Sequence, residues 1–272
     1  MYEIVHKSDL AHNIKLFKVY APDIAKKAKP GQFVIVRNNE QGERIPLTIA
    51  DYDRHKGTIT IIFQEVGKST IDMGKFEPGD KFLDFVGPLG KPSEIGKYGK
   101  IVCVGGGIGV APIHPILRAL YEKENYIISI LGARNSDLLI WEEKIKAFSH
   151  ETYLMTDDGS YGEKGLVTDA LAKIISQQDI DMVLAIGPLA MMQAVSEVTR
   201  LKQIKTLVSL NPIMLDGTGM CGACRVKIGN ENKFACVDGP EFDGHLVEWE
   251  NAKQRAKMFK EQEGLALNYK NN

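Results

Sequence analysis

Apolar and polar positions are patterned in two different ways along this chain. In residues 1–97 the apolar positions come in short runs. Gln32-Phe33-Val34-Ile35-Val36 and Gly57-Thr58-Ile59-Thr60-Ile61-Ile62-Phe63 are rich in β-branched and aromatic residues. Pro30-Gly31, Asn38-Asn39, His55-Lys56-Gly57 and Pro78-Gly79-Asp80 punctuate the segment as turns. Short strands separated by turns predict a small β-barrel or sandwich. Gly-Pro-Leu-Gly at 87–90 reads as the loop that leaves it.

Near Lys97 the pattern changes. Lys100-Ile101-Val102-Cys103-Val104 reads as a buried strand, followed by glycines and a helix from Ile113 to Tyr121 that Pro112 begins. Strands are expected at Tyr126–Leu131, Thr152–Met155 and Asp181–Ile186, and helices at Asp137–Phe148, Gly165–Ile175 and Leu189–Arg200. This alternation predicts a parallel sheet covered on both faces, placed at residues 98–207. The fold class is therefore β followed by α/β. A third region, residues 208–245, is glycine-rich, carries three of the four cysteines and is too poor in apolar runs to build its own core. In the tail, residues 246–272, an amphipathic helix is expected over Val247–Glu263, with Trp249, Ala252, Ala256 and Phe259 on one side. That stripe has no obvious home in the chain and is expected to touch a partner.

Composition narrows the function. The chain has 272 residues, 44% apolar and 25% charged, with a net charge of −1. Such balance gives no reason to expect a nucleic-acid or anionic-membrane partner. The start, Met1 to Asn13, is too polar for a signal peptide, and the weakly polar run Ile101–Ile113 is too short to span a bilayer. A cytoplasmic location is the default, where thiols stay reduced and cysteines are candidates for metal binding.

Asp216, Cys221, Cys224 and Cys236 form D-x4-C-x2-C-x11-C. Plant-type [2Fe–2S] proteins use C-x4-C-x2-C with a distant fourth Cys, so this chain keeps the spacing with Asp in the first place. Four anionic ligands suit two irons, and Gly217, Gly219 and Gly222 let the backbone wrap closely around sulfide. A carboxylate is harder than a thiolate, so the two irons should differ electronically. Other readings stay open: zinc held by three cysteines and Asp, a Cys221–Cys224 redox pair, or Asp216 as a turn residue only. Cys103, in an apolar strand, reads as an inert core residue.

Gly105-Gly106-Gly107-Ile108-Gly109-Val110-Ala111-Pro112 stands between a strand and a helix, where glycines admit a pyrophosphate to the backbone. It is not a full G-x-G-x-x-G, and a tight strand-to-helix turn is the plainer alternative. Gly187-Pro188 and Asp157-Asp158-Gly159-Ser160 also follow strands, on the side where open α/β sheets bind ligands. In the β segment, Arg44 of Arg44-Ile45-Pro46-Leu47-Thr48 has the chemistry to pair with a phosphate, and Thr48 to hydrogen-bond a flavin edge. Gly67-Lys68-Ser69-Thr70 offers donors to a second phosphate.

Taken in order, R-x-P-L-T, G-K-S-T, G-G-G-x-G-x-A-P, T-D-D-G-S-x-G, G-P-x-x-M-M and the cysteine cluster resemble the ferredoxin reductase superfamily, over residues 1–245. Within it the chain is similar to the branch of the dihydroorotate dehydrogenase electron-transfer subunits. Asp216 tips the resemblance toward the ferredoxin:NADP oxidoreductase type, since the dihydroorotate dehydrogenase subunits have four cysteine ligands. The resemblance implies an FAD-binding antiparallel barrel, a Rossmann-like nicotinamide domain and a C-terminal [2Fe–2S] lobe. It also implies a larger partner subunit with another flavin and [4Fe–4S] clusters. Carried over by motif, Arg44, Pro46, Leu47, Thr48, Gly67, Lys68, Ser69 and Thr70 would hold FAD. Gly107, Gly109, Asp157, Asp158, Gly187 and Met191 would line the nicotinamide site, and Asp216, Cys221, Cys224 and Cys236 would hold the cluster.

The function expected is electron transfer between NAD(H), FAD and the cluster, to or from that partner. NADP(H) is the alternative dinucleotide, with Arg134 as the residue able to meet its 2′-phosphate. No residue is required as a general acid or base, and His114 reads as a helix-packing histidine. Two other functions compete: the same scaffold serving dihydroorotate dehydrogenase, and a zinc-stabilised nucleotide sensor without redox turnover.

Overall fold

The computed structural model describes Tyr2 to Asn268. Met1 and residues 269–272, the extremities of the first and last segments drawn above, lie outside the described residues.

The first segment folds as seven strands: β1 (Tyr2–Ala11), β2 (Ile14–Tyr20), β3 (Phe33–Arg37), β4 (Ile45–Asp53), β5 (Thr58–Gln64), β6 (Lys81–Phe82) and β7 (Asp84–Leu89). They pair antiparallel in the order β6-β1-β2-β5-β4-β3-β7, a nearly closed barrel. Two short helices, α1 (Pro22–Lys27) and α2 (Lys68–Gly74), interrupt the strands. Strand side chains alternate between faces. On β2, Phe17 and Val19 enter the barrel core, where Phe17 meets Phe63 edge to face at 5.0 Å. The opposite face of the same wall is also apolar: Ile14, Leu16, Ala50 and Ile62 pack against the next domain. This double use explains why β5 reads as an unbroken apolar-rich run rather than a clean alternation.

The second sheet runs through β8 (Lys100–Gly106), β9 (Tyr126–Ala133), β10 (Glu151–Thr156), β11 (Glu163–Lys164), β12 (Met182–Ile186) and β13 (Lys205–Ser209). All pair in parallel, in the order β11-β10-β9-β8-β12-β13. Helices α3 (Val110–Tyr121) and α4 (Glu142–Lys146) cover one face; α5 (Val167–Gln177) and α6 (Leu189–Arg200) cover the other. Strand β8 shows why both faces are covered, since Ile101 and Cys103 join the α3 side while Val102 and Val104 join the α5–α6 side. Helix α3 is shared with the barrel. His114 is buried there, edge-on to Trp141 at 5.1 Å, and Arg118 pairs with Asp51 of β4 at 3.0 Å.

One expected helix is corrected. Residues 137–148 are not a single helix: a 3₁₀ turn at Ser136–Leu138 and α4 are separated by Trp141, whose φ is +57°. The apolar residues between them fold inward against the α3 side of the sheet, and that burial outweighs helix continuity.

The cysteine-rich region contains the hairpin β14 (Arg225–Ile228) and β15 (Glu231–Phe234), the short α7 (Ala235–Asp238) and β16 (Glu241–Asp243). Strand β16 pairs antiparallel with β13 and so becomes the seventh strand of the nucleotide sheet. Cys224, Val226, Ala235 and Cys236 share one apolar core with Val208, Phe242 and Trp249. The region thus borrows its core, as its composition requires. The tail is two helices rather than one, α8 (Trp249–Ala256) and α9 (Lys260–Asn268), broken at Phe259 with φ +66°. The home of Trp249 is within the chain: it is buried, and its indole N–H donates to the Gly244 carbonyl at 3.3 Å.

Candidate functional site

Parallel strand order reverses between β8 and β12, and a crevice opens beyond the carboxyl ends of such strands. The two ends meet closely. A Cβ on Gly109 would lie 2.1 Å from the Ile186 carbonyl oxygen, so only glycine fits where the loop after β8 crosses the end of β12. Above this crossing lies a cleft of about 970 Å³, between the barrel wall and the nucleotide sheet.

Pro46, Leu47 and Thr48 of β4 and Thr70 of α2 line its barrel side. Gly107, Gly109, Gly187, Met191 and Asp157 line the opposite side, with Arg134 at the end of β9. The remaining residues named for the two nucleotides stand outside the lining. Arg44 donates from Nε to the Leu215 carbonyl at 2.7 Å and pairs with Asp84 at 3.2 Å, tying the barrel to the cysteine loop. Ser69 donates to Glu43 at 2.8 Å. Gly67 and Lys68 begin α2, where Thr70 Oγ1 accepts from the Gly67 N–H at 3.1 Å. Asp158 accepts from the Ser160 hydroxyl at 2.7 Å and the Ser160 N–H at 2.9 Å, which holds its carboxyl below the usual range.

Several lining residues were not picked out from the sequence: Phe63 and Gln64 at the end of β5 with Val66 just past it, Leu166 and Thr168 before and in α5, and Ser209 at the end of β13 with Asn211 just past it. The last two carried a usable signal, since they stand at the carboxyl end of a parallel strand, on the ligand side. Asn211 also belongs to the cysteine-rich region, so three parts of the chain meet at one cleft.

In the cysteine loop, Cys224 and Cys236 bring their sulfurs to 3.1 Å in a buried position, while Cys221 is exposed. Burial and the adjoining Cys224 push the Cys236 thiol up to about 12. The Asp216 carboxylate accepts from the Thr218 N–H and the Cys221 N–H, both at 2.8 Å, and these bonds keep it below the ordinary range. Among the described residues no group of three His, Cys, Asp or Glu side chains converges as a preformed metal cage. The donor set nevertheless fits an iron–sulfur centre: two thiols touch, a third lies three residues from Cys224, and a carboxylate with about four lone-pair sites has capacity beyond its two N–H bonds. The loop sits tightly on the barrel. Gly217 has φ +78°, and a Cβ there would lie 2.6 Å from Leu89 and 2.8 Å from Ile35. Cys103 is fully buried in β8 with its thiol pushed up to about 12 by burial, as an inert core residue should be.

A barrel with a flavin-sized cleft, a doubly wound nucleotide sheet and a cysteine lobe define a ferredoxin reductase-like oxidoreductase. Residues 103–197 match the oxidoreductase NAD-binding domain, and residues 211–248 match the iron–sulfur cluster binding domain of dihydroorotate dehydrogenase B. The chain belongs to the family of dihydroorotate dehydrogenase B electron-transfer subunits and their homologues. It is 47% identical to the Thermotoga maritima dihydroorotate dehydrogenase B (NAD(+)) electron transfer subunit homolog, over 97% of this chain and 93% of that one. It is also 51% identical to an uncharacterized protein from the adh 3′ region of Clostridium beijerinckii, over 98% of this chain and 93% of the other. Its structure resembles a chain of the NADH-dependent reduced ferredoxin-NADP oxidoreductase, solved for its insights into flavin-based electron bifurcation. The TM-score is 0.95 at 43% identity, covering 100% of this chain and 98% of that one. The cofactor set is FAD, an iron–sulfur cluster and NAD(H), and the role is electron transfer. Among the described residues no helix is long and apolar enough to cross a membrane.

Proposed function

We propose that this chain relays electrons between NAD(H) and a [2Fe–2S] cluster by way of FAD, as the smaller subunit of a cytoplasmic ferredoxin:NADP oxidoreductase-type complex. Its larger partner would carry a second flavin and [4Fe–4S] clusters. The observation that carries this reading is the single cleft in which β4, the glycine crossing of β8 with β12, and Asn211 all meet.

FAD supplies two-electron exchange with a nicotinamide and one-electron exchange with an iron–sulfur centre. The chain's own residues bind and orient. Pro46 and Leu47 give an apolar wall that excludes water, and Thr48 offers a hydroxyl to the ring edge. On the facing side, Gly107, Gly109 and Gly187 keep side chains away from the dinucleotide, and Met191 closes the crevice. Asp157 and Asp158 close the β10 end. The relatives' printed names, dihydroorotate dehydrogenase B (NAD(+)) and NADH-dependent reduced ferredoxin-NADP oxidoreductase, support NADH over NADPH. Arg44, Gly67, Lys68, Ser69 and Thr70 form the cationic and N–H-bearing margin of the barrel side, next to the cleft that FAD would fill. Asp216, Cys221, Cys224 and Cys236 would ligate the two irons. No general acid or base is assigned.

The relatives' names favour a second reading, an electron-transfer subunit for dihydroorotate oxidation; Asp216 in the first ligand position speaks for the first. Anaerobically purified chain should show flavin bands with broad iron–sulfur absorption, and iron and acid-labile sulfide in equal amounts. Colourless protein with stoichiometric zinc would overturn the relay. Dihydroorotate-dependent NAD reduction by the purified complex would replace the first reading with the second.

A further inference from the structure

Arg255 reaches the cysteine loop from outside the segment that matches the iron–sulfur family, which ends at residue 248. It stands on α8, and its terminal guanidinium N–H donates to the Ala223 carbonyl at 2.8 Å. Ala223 is one of the two residues between Cys221 and Cys224. The Arg255 Nε is buried and has no hydrogen-bond partner among the described residues. A buried charged donor without an acceptor is unfavourable unless an anion lies near.

The helix that carries Arg255 is held in place. Trp249 at its start is buried, and the Glu248 N–H donates to the Lys227 carbonyl of β14 at 3.0 Å. The guanidinium is thus presented by a packed element rather than by a free surface arm. A second one stands nearby: a Cβ on Gly222 would lie 3.5 Å from the guanidinium of Arg225. Two cations therefore border a loop whose assigned ligands are all anionic.

We propose that Arg255 is a positioning residue for the iron–sulfur centre, clamping the Cys221–Cys224 loop through Ala223 and holding a fixed positive charge beside it. The inference rests on the ligand assignment made under Proposed function. Two ferric ions, two sulfides, three thiolates and one carboxylate sum to about −2, and one added electron makes the centre more negative. A fixed cation stabilises the more negative state more strongly, so it raises the midpoint potential.

The test is an EPR-monitored redox titration of the full-length, anaerobically purified chain, with iron and sulfide counted in the same samples. At the unaltered chain's midpoint potential, R255Q should hold a ratio of reduced to oxidised centre about threefold to tenfold lower, tenfold being 59 mV for one electron. R255K should recover most of that ratio. An unchanged midpoint in R255Q, or equal shifts in R255Q and R255K, overturns the proposal. Loss of iron from R255Q with retention in R255K supports a requirement for the cation, whereas loss from both overturns it. Absence of iron and sulfide from the unaltered chain would refute the ligand assignment itself.

Discussion

The nucleotide crevice and the cysteine lobe are built on opposite principles. The crevice is framed by parallel strands in strict register, with Ile186 opposite Gly105, in a sheet whose faces four helices cover. The lobe has one two-stranded hairpin of its own, which is marginal alone, and it draws its core from Val208, Phe242 and Trp249. Two of its thiols touch while its exposed third thiol and carboxylate stay on the loop. The contrast teaches that the nucleotide crevice is shaped by the sheet's own register, whereas the cysteine loop depends on packing that the neighbouring sheet and α8 contribute.

Substitutions can break this contrast. The largest effect is expected from Cys236→Ala, which should abolish iron and acid-labile sulfide while FAD and NADH binding persist; metal analysis beside a flavin spectrum checks it. Trp249→Ala removes the lobe's borrowed core and should cost about 3–5 kcal/mol. Denaturant unfolding should show that loss, and iron should leave before flavin does. Gly109→Ala acts on the other region, forcing a Cβ to within 2.1 Å of Ile186 O. It should destabilise by about 1–3 kcal/mol and weaken NADH binding at least tenfold, with iron content unchanged.

The smallest effect is a pH slope. Burial lowers the pKa of His114 below its ordinary 6.5, so the folded chain keeps it neutral while the unfolded chain takes up a proton. Stability is therefore intact above pH 6.5 and falls as pH drops below that value. His114→Gln should flatten part of this slope in thermal unfolding measured across pH. His245, also lowered by burial, should preserve the remainder.

Legibility followed the same division. Leu189–Arg200 emerges as α6 with its expected ends, and the Lys100 and Asp181 strands stand within a residue or two of theirs, because period and burial agree there. The breaks at Trp141 and Phe259 were not legible. A single left-handed aromatic leaves no compositional trace, and tertiary packing decides it. The joining of β16 to β13 was equally hidden, since long-range pairing has no local signal. In the candidate site, glycines and motif residues announced the crevice, and Gln64 and Thr168 entered it only through the fold. Arg44 and Ser69 carry phosphate-binding chemistry in sequence, yet in space they brace Leu215, Asp84 and Glu43.

The most direct test of the relay is an anaerobic NADH titration of the isolated chain, followed at once by visible absorbance and EPR. The account predicts that NADH bleaches the flavin and that a reduced iron–sulfur signal then appears, with Cys236→Ala keeping the first change and losing the second. Bleaching of flavin in the unaltered chain with an iron–sulfur centre that stays oxidised at excess NADH would contradict it.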